Sequence, residues 1–106
     1  MSLIRIKEIA SLVNDNSFIL DVGTDHAYLP IYLIKNKIVM QAYASDISEL
    51  ALKIAQKNVL KNHLENEIKL FLSDGLKNIP QDYDTLIISG MGTNTIKKIL
   101  NDQQNI

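Results

Sequence analysis

Apolar positions along this chain fall into two alternating rhythms. Leu3, Ile6, Ile9, Ala10 and Val13 recur at helical spacing and predict an amphipathic helix over residues 2–14, closed by the turn residues Asn14-Asp15-Asn16-Ser17. Phe18 to Val22 is a short apolar run, the pattern of a strand covered on both faces. A helix over Ala27–Asn36, a strand over Val39–Ser45 and a helix over residues 49–63 follow. Ser48 is placed to cap that third helix, with Leu50, Ile54 and Val59 facing the core and Leu60 a further candidate. Ile68–Leu72 predicts a third strand, Leu76–Ile79 one turn before Pro80, Thr85–Ser89 a fourth strand, and Thr95–Asn101 a final helix.

Such alternation predicts an α/β fold with a mostly parallel sheet and right-handed crossovers. Ligands of these sheets bind beyond the carboxyl ends of the strands, at the switch in strand order. Each predicted strand ends in a polar or glycine-bearing turn: Gly23-Thr24-Asp25, Ser45-Asp46, Ser73-Asp74-Gly75 and Ser89-Gly90-Met91-Gly92. Four such turns are expected to meet at one crevice.

Composition narrows the class. A chain of 106 residues holds one small domain, and 46% apolar residues suffice for a core. A net charge of −1 gives no global electrostatic case for nucleic acid or membrane. The absence of cysteine excludes disulfides and thiolate zinc sites and suits a cytoplasmic protein. Arg5, Lys7 and Glu8 interrupt the N-terminal apolar pattern, so no signal-peptide core is expected, and nothing approaches the roughly 20 apolar residues of a membrane span. His26 and His63 are not spaced as metal ligands.

The first turn carries the most chemistry. A dinucleotide site needs glycines where backbone approaches a pyrophosphate, and here Asp25 and Ala27 occupy the second and third glycine positions. A carboxylate would repel a phosphate but attract the sulfonium and ammonium of S-adenosylmethionine, so Asp25 favours that cofactor over NAD or FAD. The alternative is that Asp25 caps the following helix. Asp46 lies 23 positions after Gly23, where an acidic residue takes ribose hydroxyls, or else acts as a helix cap. Asp74 with Gly75 either receives the adenine amine or forms an ordinary turn, and Gly90-Met91-Gly92 either shapes a transfer site or only links strand to helix. His26 and Tyr28 flank the first turn as further candidates, with a structural role as the alternative for His26.

The strings Asp21-Val22-Gly23-Thr24-Asp25-His26-Ala27-Tyr28-Leu29-Pro30, Ala44-Ser45-Asp46-Ile47, Ser73-Asp74-Gly75-Leu76 and Ser89-Gly90-Met91-Gly92 closely resemble, in this order, the bacterial tRNA (adenine-22-N1)-methyltransferase family. The resemblance runs from about residue 3 to the end of the chain. It implies a Rossmann-like class I methyltransferase fold using S-adenosylmethionine and acting on tRNA. By matching position it implies Gly23 and Asp25 at the methionine end, Asp46 at the ribose, and Asp74 with Gly75 at the adenine, with Thr24, His26 and Ile47 also among the cofactor-binding residues. Gly90 and Met91 would complete the cofactor side, and Tyr28 and Gly92 would border the target base. Asp25 is the candidate catalytic group, stabilising charge that develops on the attacked adenine. Thr93 stands where the family continues with another glycine. An Asn-Pro-Pro-aromatic signature of exocyclic-amine methylation is missing, which fits attack by a ring nitrogen.

The resemblance also implies more protein than this: further strands and a C-terminal helical domain that helps hold tRNA. The expectation is a partial cofactor-binding domain over residues 1–106, truncated after the fourth strand and its helix, with a bare apolar edge at Leu86, Ile87 and Ile88 prone to self-association. Three functions follow from these readings: a tRNA adenine-N1 methyltransferase, a cofactor-binding piece without turnover, and a small NAD-binding oxidoreductase, which Asp25 disfavours.

Overall fold

The computed structural model describes residues 2–90 and 93–98. Its first helix, α1 (Leu3–Ala10), starts where the Ser2 hydroxyl accepts the Arg5 N–H, and it buries Ile6, Ile9 and Ala10. The expected continuation to residue 14 is instead a tightening turn, with the Leu12 and Val13 N–H groups donating to the carbonyls of Ile9 and Ala10. Val13 remains buried. The chain then alternates through β1 (Ile19–Val22), α2 (Tyr28–Lys35), β2 (Ala42–Asp46), α3 (Glu49–Lys61), β3 (Ile68–Leu72), β4 (Thr85–Gly90) and β5 (Thr93–Lys98).

The strands form one sheet in the order β3-β2-β1-β4-β5. The first four are parallel, in a register that sets Asp21 beside Ala44 of β2 and Ile87 of β4. Strand order reverses at β1, because β2 and β3 extend to one side of it and β4 lies on the other. This is a Rossmann-like sheet with its switch point between β1 and β4.

Alternating strand residues divide the core in two. On one face, Ile19, Ala42 and Ile87 pack with Ile6, Ile9, Leu29 and Leu33 of α1 and α2, while Ala44 and Ile68 pack with Ala55 and Val59 of α3. On the other, Leu20, Tyr43 and Leu86 meet Ile79 and Tyr83 from the β3–β4 connection. That connection forms a turn at residues 75–78, as the sequence predicts.

Three expectations change. Leu50, Ile54 and Leu60 are exposed (70%, 37% and 48%), whereas Val59 is buried as expected and Ala55 takes the other core position of α3. These two are one helical turn apart, and the small Ala55 lets the helix approach the sheet closely. The predicted helix from Thr95 is strand β5 through Lys98, pairing antiparallel with β4 from Thr85↔Lys98 to Gly90↔Thr93. The remainder of that predicted helix, Ile99, Leu100 and Asn101, lies outside the described residues. β4 consequently has partners on both sides, so the expected bare edge at Leu86–Ile88 is covered, which removes the basis for self-association there.

Candidate functional site

Because β1, β2, β3 and β4 are parallel, their carboxyl ends share one edge of the sheet, as the sequence anticipated. The site grows from an anomaly in β1. Asp21 is a carboxyl within an apolar strand, 1% exposed at the switch point. Its Oδ2 accepts the Thr24 hydroxyl at 2.8 Å, and its Oδ1 has no hydrogen-bond partner. Burial pushes its pKa up to about 7; the Thr24 bond works against that rise and the charge of Asp46 adds to it.

The turn after β1 is wound unusually. Gly23, Asp25 and Ala27 all take positive φ, at 74°, 59° and 63°. Glycine adopts this freely and Asp tolerates it, but it is uncommon for alanine. Four hydrogen bonds to the turn overdetermine the shape. The Ser45 carbonyl of β2 accepts the N–H groups of both Gly23 and Thr24 at 2.9 Å. Asp46 Oδ2 accepts the Asp25 N–H at 2.9 Å, and Asn58 of α3 donates its Nδ2 to the His26 carbonyl at 2.9 Å.

Asp46 is the centre of this arrangement. Its second oxygen, Oδ1, accepts the Ser48 N–H at 2.9 Å, and its carbonyl accepts the Ser73 N–H at 3.0 Å. One residue thereby ties together the turns after β1, β2 and β3. Each carboxylate oxygen uses one acceptor site on backbone and retains capacity for another donor. The capping alternatives fail in both places. Ser48 caps α3, its Oγ accepting the Ala51 N–H, while α2 begins at Ala27 with no side-chain cap.

The other predicted residues stand around this centre. Asp25 is exposed, its Oδ1 3.7 Å from His26 Nε2. His26 Nδ1 lies 3.3 Å from the Tyr28 hydroxyl, and the two rings meet edge to face at 5.3 Å. Ile47 is exposed beside Asp46. Asp74 is exposed, and Gly75 takes φ 71°, the reason a glycine suits that position. Ser73 Oγ pins this third turn by donating to the Lys77 carbonyl at 2.7 Å. Gly90 ends β4 at the same edge of the sheet, whereas Met91 and Gly92 lie outside the described residues. Among the described residues no grouping of His, Asp or Glu could hold a metal, and no helix is long and apolar enough to cross a membrane.

The crevice edge thus presents Asp25, Asp46 and Asp74, with no Lys or Arg in the segments 23–27, 45–48 and 73–75 that carry them. It suits a ligand with hydroxyls and positive charge, and it repels phosphate.

Residues 3–106 match the family described as a methyltransferase domain. The chain belongs to that family. The Bacillus subtilis tRNA (adenine(22)-N(1))-methyltransferase is 33% identical to this methyltransferase domain over 97 residues, covering 91% of the chain and 41% of the relative. The M. capricolum TrmK structure, in complex with S-adenosyl-homocysteine, superposes with a TM-score of 0.77 at 42% identity over 85% of this chain and 41% of that one. The Streptococcus pneumoniae Sp1610 structure, in complex with S-adenosyl-L-methionine, gives a TM-score of 0.80 at 35% identity over 87% and 44%. The domain spans less than half the length of these relatives.

Two further side chains, Asp21 and Asn58, belong to this arrangement. Asp21 was visible as an acid inside an apolar strand, a placement that asks for a reason. Asn58 carried no local signal, because its partner, the His26 carbonyl, is 32 residues away.

Proposed function

We propose that this domain binds S-adenosylmethionine at the carboxyl edge of β1, β2 and β3, and belongs to an enzyme that methylates N1 of an adenine in tRNA, at position 22, in the cytoplasm. The observation that carries the cofactor reading is Asp46, a carboxylate that joins three turns yet keeps acceptor capacity where a ribose diol would lie. The names of the Bacillus subtilis relative and of the complexed structures support the reaction and the cofactor.

The residues fit that cofactor by chemistry. Asp46 holds the ribose hydroxyls, Asp74 and Gly75 border the adenine, and Gly23 and Thr24 give the methionine end a close backbone. Asp25 with His26 faces the cationic end, and Gly90 borders the cofactor from β4. Met91 at the cofactor and Tyr28 and Gly92 at the target base complete the assignment. When bound, the cofactor supplies a methyl group on an already activated sulfonium. Alignment is therefore the protein's main task, and the overdetermined β1 turn serves it; oriented reactants lower a barrier by roughly 7–11 kcal/mol. N1 lies on the pairing edge of adenine, so the base must be unpaired or flipped out to react. Asp25 stabilises the positive charge that develops on the ring.

Calorimetry with S-adenosylmethionine and methyl transfer to an unmodified tRNA transcript test this. Asp46→Ala is expected to lower cofactor affinity at least tenfold with the far-UV spectrum retained. Full affinity in that variant would remove the assignment. Cofactor binding without transfer, in a chain completed to the length of its relatives, would reduce the function to cofactor holding.

A further inference from the structure

The face formed by α1, α2 and α3 carries a groove of about 1020 Å³. Two lysines, Lys35 and Lys61, stand in it with Tyr28, Tyr32 and the amides of Asn58 and Asn62, and no Asp or Glu lines it. On a chain of net charge −1, this is a locally cationic channel. The lysines close the last turns of α2 and α3, and Lys35 Nζ donates to Asn62 Oδ1 at 2.9 Å, which fixes one ammonium between the helices while leaving it two further protons.

The groove is continuous with the site described above. Tyr28, 44% exposed, meets His26 edge to face, and His26 in turn neighbours Asp25. Asn58 lines the groove and donates to the His26 carbonyl. An exposed tyrosine face at Tyr28, amide side chains and ammonium groups without competing carboxylates are the combination that receives an unpaired nucleic-acid strand: a base stacks on the ring and phosphates follow the cations.

We propose that this groove is a docking track for a single-stranded or looped segment of RNA, leading the substrate over Tyr28 toward the β1 turn. The proposal rests on the function proposed above, and it adds the surface by which the substrate is held. Lys35 and Lys61 contact phosphates, and Tyr28, at the target base, supplies the stacking face where the track ends.

The test is fluorescence anisotropy with a labelled unmodified tRNA transcript across a salt series, alongside calorimetry with S-adenosylmethionine, on the wild-type chain and three variants. The pair Lys35→Gln and Lys61→Gln removes two charges from exposed positions without reversing them. It is expected to weaken RNA binding roughly 20-fold near 0.1 M salt and to reduce the slope of log affinity against log salt by about 1.4 to 1.8. The charge-reversed pair Lys35→Glu and Lys61→Glu should weaken binding further. Tyr28→Ala should cost roughly tenfold with the salt slope unchanged, since stacking releases no counterions. The lysine variants should leave cofactor affinity as it is. RNA binding with unaltered affinity and slope in the lysine variants overturns the proposal, as does a wild-type chain that binds cofactor but no RNA; in both cases the cofactor reading stands. Concentration-dependent dimerisation that Tyr28→Ala abolishes, measured by sedimentation without RNA, would give the groove to a second copy of the chain and overturn it as well. Loss of cofactor binding in the wild type would instead strike the function proposed above.

Discussion

Asp21 shows how one residue can couple the site to solution conditions. Its carboxyl is buried beside the Thr24 hydroxyl and within the field of Asp46, and its pKa rises from 3.8 to about 7. Between those values the folded chain holds a proton that the unfolded chain has released, so this residue's contribution to stability falls as pH rises through that window. Above about pH 7 the buried charge is fully present and costs a few kcal/mol, on the order set by the shift. Asp21→Asn keeps an acceptor for Thr24 and cannot ionise. Urea midpoints of the two proteins are expected to draw apart in favour of the variant between pH 5 and pH 8. A difference that stays constant across that range would show that Asp21 is ionised in the folded state throughout. The acid was plain in the sequence, but its environment was not, because the neighbours that desolvate it come from β2, β4 and the helical face.

At the scale of elements, capping is set by local sequence and packing by the sheet. α3 was legible because Ser48 before an apolar-periodic segment is a local signal, and the structure places the cap there. Its buried face was legible only at Val59, since Leu50, Ile54 and Leu60 are as apolar as the residues that are buried; contact with the sheet selects Ala55 beside Val59. Residues 93–98 form a strand where local spacing predicts a helix, because pairing with β4 overrides weak local preference. α2 starts without a capping side chain, and Pro30 in its first turn removes one N–H that would otherwise lack a partner. The turn before it relies on α3 through Asn58. Asn58→Ala is expected to lower stability by about 1–2 kcal/mol, the cost of a partly buried carbonyl left without its donor. Asn62→Ala, which removes a bond to the carbonyl of its own helix and the exposed acceptor of Lys35, should cost less. Equal losses in chemical denaturation would show that the tie to His26 contributes nothing of its own.

For the molecule as a whole, the assembled crevice should reveal itself through linkage. A ligand bound only by the folded state stabilises it by about 2.7 kcal/mol at one hundred times its Kd. For a domain of this size that corresponds to a rise in Tm of roughly 10–20 °C. S-adenosylmethionine at that concentration is expected to produce such a rise, and NADH at equal concentration none, because its pyrophosphate would meet Asp25 in the β1 turn. A comparable rise with NADH would reverse the cofactor preference read from the carboxylates. The alternation of elements through β4, the parallel strands, the positions of the first three strand-end turns and the acidic first turn are properties of the sequence by itself, because periodicity, turn residues and charge act over a few neighbours. What only the tertiary structure decided is which of these groups act together. Asp46 became the tie among three turns, Asp21 a carboxyl with a raised pKa, Asn58 a support for the β1 turn, and residues 93–98 a strand. The first three depend on partners distant in the chain, which meet only when the sheet closes and excludes water; the last depends on β4, close in sequence but held in place by β1.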